Sequence, residues 1–136
     1  MLIGGYAVMA HGHVRATQDL DVWVRPTRAN IERLMAAMHA FGLPPGLSID
    51  ELFPVVGPPP TGFRFGRPPI AIDIITTVRG VRFEDAWQGS LVRRLDGVDV
   101  RVIGRGALLA NKRATGRPKD ILDVEALERI TTPDAD

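Results

Sequence analysis

Short apolar segments separated by turn residues alternate between strand-like and helix-like spacing along the chain. Residues 19–24 alternate polar and apolar side chains, which predicts a strand with one buried face. Residues 27–41 then carry apolar side chains at helical spacing, and Gly42 marks the expected end of that helix. Residues 69–76 are apolar and β-branched except for one acid, which predicts a central strand buried on both faces. This mixture of strands and helices indicates an α+β (α/β) domain.

The two ends of the chain continue the same pattern. Residues 1–10 have the form of a strand end, a tight Gly-Gly turn and a short helix. Because this strand is brief, we expect that the natural domain begins earlier and that a preceding N-terminal helix is absent from this chain. The last third predicts a hairpin and two helices: strands over 91–95 and 98–103, a helix through Lys112, and a helix from Pro118 to Ile130.

A long proline-rich connection interrupts this regular pattern. Residues 44–69 hold eight of the eleven prolines, and long loops in compact domains are usually functional or mobile. Residues 131–136 are expected to form a disordered tail. A chain of 136 residues is typical of one domain, which we expect to span residues 1–130.

The composition excludes several classes of function. The chain has no cysteine, which rules out a disulfide scaffold, a thiolate metal site and cysteine catalysis, and which suits a reducing cytoplasm. No apolar run reaches the roughly 18–20 residues that a membrane span needs, so we expect a cytoplasmic protein without a membrane partner. The net charge of +1 does not by itself argue for nucleic acid.

Three aspartates stand where apolar residues would be easier to accommodate. Asp19 and Asp21 lie two apart on one predicted strand, so their side chains leave on the same face. Asp73 lies within the apolar strand over 69–76. An unpaired charge there would cost several kcal/mol, so Asp73 must face a cleft, a cation or a metal.

These acids converge if their two strands are neighbours in the sheet. Three carboxylates repel one another, which raises the pKa of at least one of them unless a cation intervenes. Ligation by oxygen alone suits Mg²⁺ or Mn²⁺. The alternative to a metal site is that Asp19 and Asp21 are solvated residues at a strand end in a purely structural domain. The turn at Gly4-Gly5 favours the site, because exposed N–H groups at a helix start can bind phosphate.

Gly4-Gly5, thirteen further residues, the run Asp19-Leu20-Asp21, and Asp73 within an apolar strand resemble the nucleotidyltransferase superfamily with the DNA polymerase β-like fold. The pattern is most similar to minimal nucleotidyltransferases and to abortive-infection-type nucleotidyltransferase toxins. The segments at 11–17 and 111–120 carry the same resemblance, which covers roughly residues 2–128. It implies a mixed β-sheet with helices packed on it.

The resemblance also implies a reaction and its cofactors. Two Mg²⁺ ions, or Mn²⁺, would clamp the triphosphate of an NTP such as ATP, and a hydroxyl of a protein or RNA acceptor would attack the α-phosphate and release pyrophosphate. Asp19 and Asp21 would bind both ions; Asp73 would bind the ion that activates the acceptor and take the acceptor's proton. A cognate toxin or antitoxin protein, or a second copy of the chain, is the implied partner.

The resemblance further predicts the nucleotide contacts, with one departure. The expected contacts are Gly4, Gly5, Arg15 and Lys112, although Arg15 is as readily explained by structural pairing. The family commonly has Gly-Ser at the turn, with the serine hydroxyl on a phosphate, whereas this chain has Gly5 in its place. The missing hydroxyl motivates an alternative, a non-catalytic module of the same fold that acts as an antitoxin-like or regulatory partner.

The last predicted helix begins with a group of charged residues. We expect Lys119, Asp120 and Asp123 to form a charge pattern on its surface, which is the usual situation for such residues.

Overall fold

The computed structural model describes residues 1–17, 19–42, 50, 62–67 and 70–130. These residues form six strands and five helices. In chain order they are β1 (Leu2–Ile3), α1 (Gly4–Ala10), β2 (Asp19–Trp23), α2 (Arg28–Phe41), β3 (Gly62–Arg67), β4 (Ile70–Ile75), α3 (Phe83–Gln88), β5 (Leu91–Leu95), β6 (Val98–Val102), α4 (Arg105–Thr115) and α5 (Pro118–Arg129).

All six strands belong to one mixed sheet with the order β3-β4-β2-β1-β6-β5. The pairs β2–β4 and β1–β6 are parallel, and the other three neighbouring pairs are antiparallel. The short strand β1 therefore joins β2 on one side to β6 on the other. This sheet, with its helices, confirms the expected mixed α+β class.

Helices cover both faces of the sheet and bury two apolar clusters. The larger cluster lies between the sheet and helices α1, α3, α4 and α5, and includes fully buried Val8, Leu108 and Leu127. On the other face, α2 buries Ile31 and Met35 against side chains of β3, β4 and the end of β2. Burying each such side chain contributes about 1.5–3 kcal/mol, which fixes the strands relative to one another.

Local sequence explains why several elements begin and turn where they do. Thr27 caps α2, because its hydroxyl accepts a hydrogen bond from the backbone N–H of Asn30 at 3.3 Å. Asp96 and Gly97 both have positive φ, at 49° and 79°, which is the geometry of a tight two-residue hairpin. Pro118 stands in the first turn of α5, where its missing N–H costs nothing. The predicted hairpin and last two helices are thus confirmed.

Two predictions fall on other parts of the chain. The tail over 131–136 lies outside the described residues, as does most of the proline-rich connection over 44–69. Within the described ranges, none of the helices combines the length and the apolar character that crossing a bilayer requires.

Candidate functional site

The three aspartates singled out from the sequence meet at the junction of β2 and β4. The parallel register places Asp21 directly opposite Asp73, and neighbouring strands lie about 4.8 Å apart. Asp19 is two residues before Asp21 and leaves β2 on the same face. All three line one open cleft of about 920 Å³. The strand-embedded Asp73 therefore faces a cleft, as the cost of burying it unpaired required.

Crowding of these acids changes the titration of Asp21. Burial raises its pKa from the usual 3.8 to about 6, and the charge of Asp73, a hydrogen bond shared with Asp73 and the charge of Asp19 act in the same direction. The Lys112 ammonium acts in the opposite sense and lowers the pKa of Asp21. The expected rise of at least one carboxyl pKa is thus found at Asp21, where the charge of Lys112 opposes it.

A cation that the sequence analysis did not single out lies on Asp19 and Asp73. Arg64, on the edge strand β3, stands opposite Asp73 in the antiparallel register. Its Nε donates to Asp73 Oδ1 at 3.0 Å, and one terminal nitrogen donates to Asp73 Oδ2 at 3.2 Å and to Asp19 Oδ2 at 2.9 Å. The only sequence signal for Arg64 is its position between Phe63 and Phe65 in a short alternating strand.

The donor set at this junction fits a hard divalent cation, but not without a rearrangement. Three carboxylates supply oxygen ligands alone, which is the chemistry that Mg²⁺ prefers. In the described part of the chain, no three acidic or imidazole side chains are already arranged as a metal-binding group. Because Arg64 contacts both oxygens of Asp73 and one oxygen of Asp19, an ion that used all three aspartates would have to compete with it. Its side chain is 50% exposed, so it has solvent to move into.

The glycine turn packs directly against this cluster. Gly4 has φ of 65°, and a Cβ at that position would collide with the Asp21 carboxylate, so only glycine fits. A Cβ at Gly5 would lie 2.5 Å from Thr17 Oγ1 and 3.2 Å from a terminal nitrogen of Arg15. The bare backbone of Gly5 thus leaves room for the Thr17 hydroxyl, which also lines the cleft. Thr17 stands just before the acidic strand in the sequence, which by itself assigned it no role.

A buried ionic network borders the cleft, and Lys112 and Asp120 belong to both. Lys112 is 4% exposed, and its ammonium nitrogen lies 3.1 Å from Asp120 Oδ1 and 2.9 Å from Asp123 Oδ2. Arg15 contacts both oxygens of Asp123, at 2.7 and 2.9 Å, and Arg117 Nε contacts Asp120 Oδ2 at 2.7 Å. Each buried carboxylate therefore has two cationic partners.

This network corrects the expectation of a surface charge pattern on the last helix. Asp120 and Asp123 are 0% and 2% exposed, and only Lys119 is exposed. The two aspartates are three residues apart, so they lie on one face of α5, and that face packs towards Lys112 of α4. Their burial was not expected from the sequence, because acidic residues are mostly exposed and become buried only where partners pair with them.

The pKa values of both aspartates follow from these contacts. Burial opposes ionisation of Asp120, but hydrogen bonds from Arg117, Lys112 and Thr115 outweigh it and hold its pKa at about 2. Burial also opposes ionisation of Asp123, and bonds from Arg15 and Lys112 likewise lower its pKa below the usual value. Both carboxylates are therefore ionised at neutral pH and tie α4, α5 and the segment before β2 together.

The two predicted nucleotide-binding cations, Arg15 and Lys112, belong to this network as well as to the cleft lining. The Arg15 guanidinium donates to Asp123 through two nitrogens, which is the structural pairing left open above. Lys112 has three N–H donors, and two carboxylate contacts leave one of them. That remaining donor is what Lys112 has available for a ligand in the cleft.

Two further cleft-lining cations have no carboxylate partner within the described ranges. Arg79 and Lys119 are both exposed. The backbone of Arg79 is held in place, because Asn111 Nδ2 donates to its carbonyl oxygen at 3.0 Å. Its loop also seats closely on α4, where Gly80 approaches Ala114. These two exposed cations add positive charge to a cleft that the three aspartates also line.

Comparison with known proteins adds no family to this geometry: no protein-family model and no curated protein matches the chain.

Proposed function

We propose that this chain is a divalent-metal-dependent nucleotidyltransferase, which moves a nucleoside monophosphate from an NTP to a hydroxyl of a protein or RNA acceptor. The observation that carries the proposal is the meeting of Asp19, Asp21 and Asp73 beside the Gly4-Gly5 turn in one cleft. Transfer from an NTP needs acids that bind cations. It also needs bare glycine backbone and positive side chains beside them to bind the phosphates. The resemblance to nucleotidyltransferase toxins adds the proposal of a cognate toxin or antitoxin partner.

Asp19, Asp21 and Asp73 would hold the metal ions. When bound, two Mg²⁺ ions supply positive charge that stabilises the attacking and leaving oxygens of a phosphoryl transfer. Asp73 is the candidate proton acceptor for the hydroxyl, because it faces the cleft and lies directly opposite Asp21.

The phosphate contacts of the proposal begin at the turn. Gly4 and Gly5 contribute bare backbone, and Thr17 contributes a hydroxyl at the position where the family places a serine hydroxyl. No hydrogen-bond partner of that hydroxyl occurs among the described residues. Thr17 therefore offsets the departure from the family pattern at Gly5. Lys112 adds its one remaining N–H donor, and Arg15 adds its positive charge.

Transfer assays with the full chain test the proposal. Each of four α-³²P-labelled NTPs is incubated with Mg²⁺ and with RNA or protein as acceptor, and covalent labelling and pyrophosphate release are measured. Asp21→Asn should abolish both signals, because it removes a ligand charge at nearly constant shape. Asp99→Asn, on the exposed hairpin, is the matched control and should retain them. Equal labelling by the wild type and by Asp21→Asn would contradict the proposal.

The second candidate is a non-catalytic binding module of the same fold. The observation that favours it is the pairing of Arg64 with Asp19 and Asp73, which satisfies those carboxylates without a metal. Isothermal titration discriminates between the two candidates. The enzyme should give heat with Mg²⁺ and an NTP, and Asp21→Asn should remove it, whereas the module should give none in either protein.

A further inference from the structure

We propose that Arg64 is a positioning residue that competes with divalent cations for Asp19 and Asp73, and so sets the metal concentration at which the site loads. This inference rests on the proposed function, because it concerns the same three carboxylates.

The guanidinium of Arg64 occupies the oxygens that a metal ion would need. It makes three hydrogen bonds of 2.9–3.2 Å, two to Asp73 on the adjacent strand β4 and one to Asp19 on β2 beyond it. The planar fork of arginine matches two carboxylate oxygens at once. A metal ion that binds these oxygens must therefore compete with the Arg64 guanidinium for them.

The same cleft contains a buried ion pair, and comparison with it shows why the exposed Arg64 can exchange with a metal ion. The side chains of Lys112 and Asp120 are 5% and 1% exposed, so separating them would strand a charge away from water. The side chains of Arg64 and Asp19 are 50% and 32% exposed. Exposed pairs are worth little, because water solvates both partners when they part. Arg64 is thus an exchangeable counter-ion, whereas Lys112 is a fixed one.

Asp21 provides the entry point for a cation. It lies opposite Asp73 in the register, and it forms no ion pair with any described residue. Its carboxylate is therefore the first ligand to be met, and Asp73 and Asp19 follow as Arg64 turns outward. Among the described residues β3 is the edge strand of the sheet, so none of their strands lies on its outer side.

Mn²⁺ binding to the full chain, followed by electron paramagnetic resonance without nucleotide, tests this competition. Arg64→Gln should bind Mn²⁺ about three- to fivefold more tightly than the wild type. Arg64→Lys keeps the positive charge and should lie close to the wild type. Arg94→Gln removes a cation from another exposed pair, with Asp99, and should leave Mn²⁺ affinity unchanged.

A measurement on the unmodified chain keeps the inference testable if Arg64→Gln fails to fold. Titration with Mg²⁺ should shift the Nε–H resonance of Arg64 in a ¹H–¹⁵N spectrum and leave that of Arg15 in place. Unchanged Arg64 resonance at saturating Mg²⁺, or Mn²⁺ affinity in Arg64→Gln equal to or weaker than in the wild type, overturns the inference and leaves the proposed function standing. Absence of metal binding in both proteins overturns the two together.

Discussion

Single residues at the turn between β1 and α1 determine which atoms pack against the acidic cluster. Gly4 is fixed by the Asp21 carboxylate beside it, and Gly5 by the Thr17 hydroxyl that occupies the space of a side chain. A serine at residue 5 would therefore compete with Thr17 for the same space. The hydroxyl at this turn is provided by a residue far along the chain rather than by the turn itself.

Removal of the Thr17 hydroxyl should weaken nucleotide binding. Thr17→Val keeps the branched shape, so the loss of one hydrogen bond to a charged phosphate should lower Mg-NTP affinity about tenfold. Thr17→Ser should keep affinity near the wild-type value. Isothermal titration measures both; wild-type affinity in Thr17→Val would show that the hydroxyl makes no contact.

The raised pKa of Asp21 predicts that this residue destabilises the fold at neutral pH. Its folded pKa of about 6 exceeds the unfolded value of 3.8, so its stabilising contribution is complete below 3.8 and is lost as the pH rises through 6. Asp21→Asn should therefore raise the free energy of unfolding by about 1–2 kcal/mol at neutral pH, a value reduced for solvent screening.

Urea denaturation at two pH values checks this expectation. The advantage of Asp21→Asn should disappear near about pH 4, where wild-type Asp21 is itself protonated in the folded state. Val92→Ala, at an exposed position of β5, removes no titratable group and is the control that should show no such pH dependence. An advantage that stays the same at both pH values would be inconsistent with the raised pKa.

At the scale of elements, the packing of α4 against α5 depends on charge as well as on apolar burial. Lys112 of α4 lies between Asp120 and Asp123 of α5, and Arg15 joins them from the segment before β2. The helix faces that meet carry the ionic network together with buried apolar side chains such as Leu108 and Leu127. A buried pair of this kind contributes little over an apolar pair, yet breaking it leaves a charge uncompensated.

Lys112→Met should test the contribution of that network to stability. Because Asp120 and Asp123 lose their shared cation, the free energy of unfolding should fall by about 3 kcal/mol. Lys119→Met is a matched control, since it replaces the other lysine of the chain at an exposed position and should change stability by less than about 0.5 kcal/mol. Equal stability of the two variants in urea would show that the network is dispensable.

At the scale of the whole molecule, the two-residue strand β1 joins the halves of the sheet. Leu2 and Ile3 pair with β2 on one side, and Leu2 with Val102 of β6 on the other. Ile3 stands opposite Asp21 in this pairing, so the strand that unites the sheet also supports the acidic cluster. Unfolding of either half should therefore disrupt the site.

Ile3→Ala should lower global stability by about 2–5 kcal/mol, because Ile3 is 4% exposed and its loss leaves a cavity at this junction. Unfolding should remain a single transition, with fluorescence from Trp23 and Trp87 coinciding with circular dichroism. Val92→Ala, at an exposed position of β5, should change stability by less than about 0.5 kcal/mol. Fluorescence and circular dichroism transitions that fail to coincide would show that parts of the sheet unfold independently.

The sequence by itself determined the local elements and part of the site. Helical spacing gave α2, the Asp96-Gly97 turn gave the hairpin, and the period of two placed Asp19 and Asp21 on one face. These features follow from neighbours a few residues apart, because backbone geometry repeats over such distances.

Only the tertiary structure decided which charges meet. Arg64 contacts Asp19 across 45 residues, and Arg15 contacts Asp123 across 108. Such contacts depend on sheet register and on helix packing, which no local period specifies. The sequence indicated that Asp73 needed a partner or a cleft, and the fold supplied both. Only the fold buried Asp120 and Asp123 with Lys112.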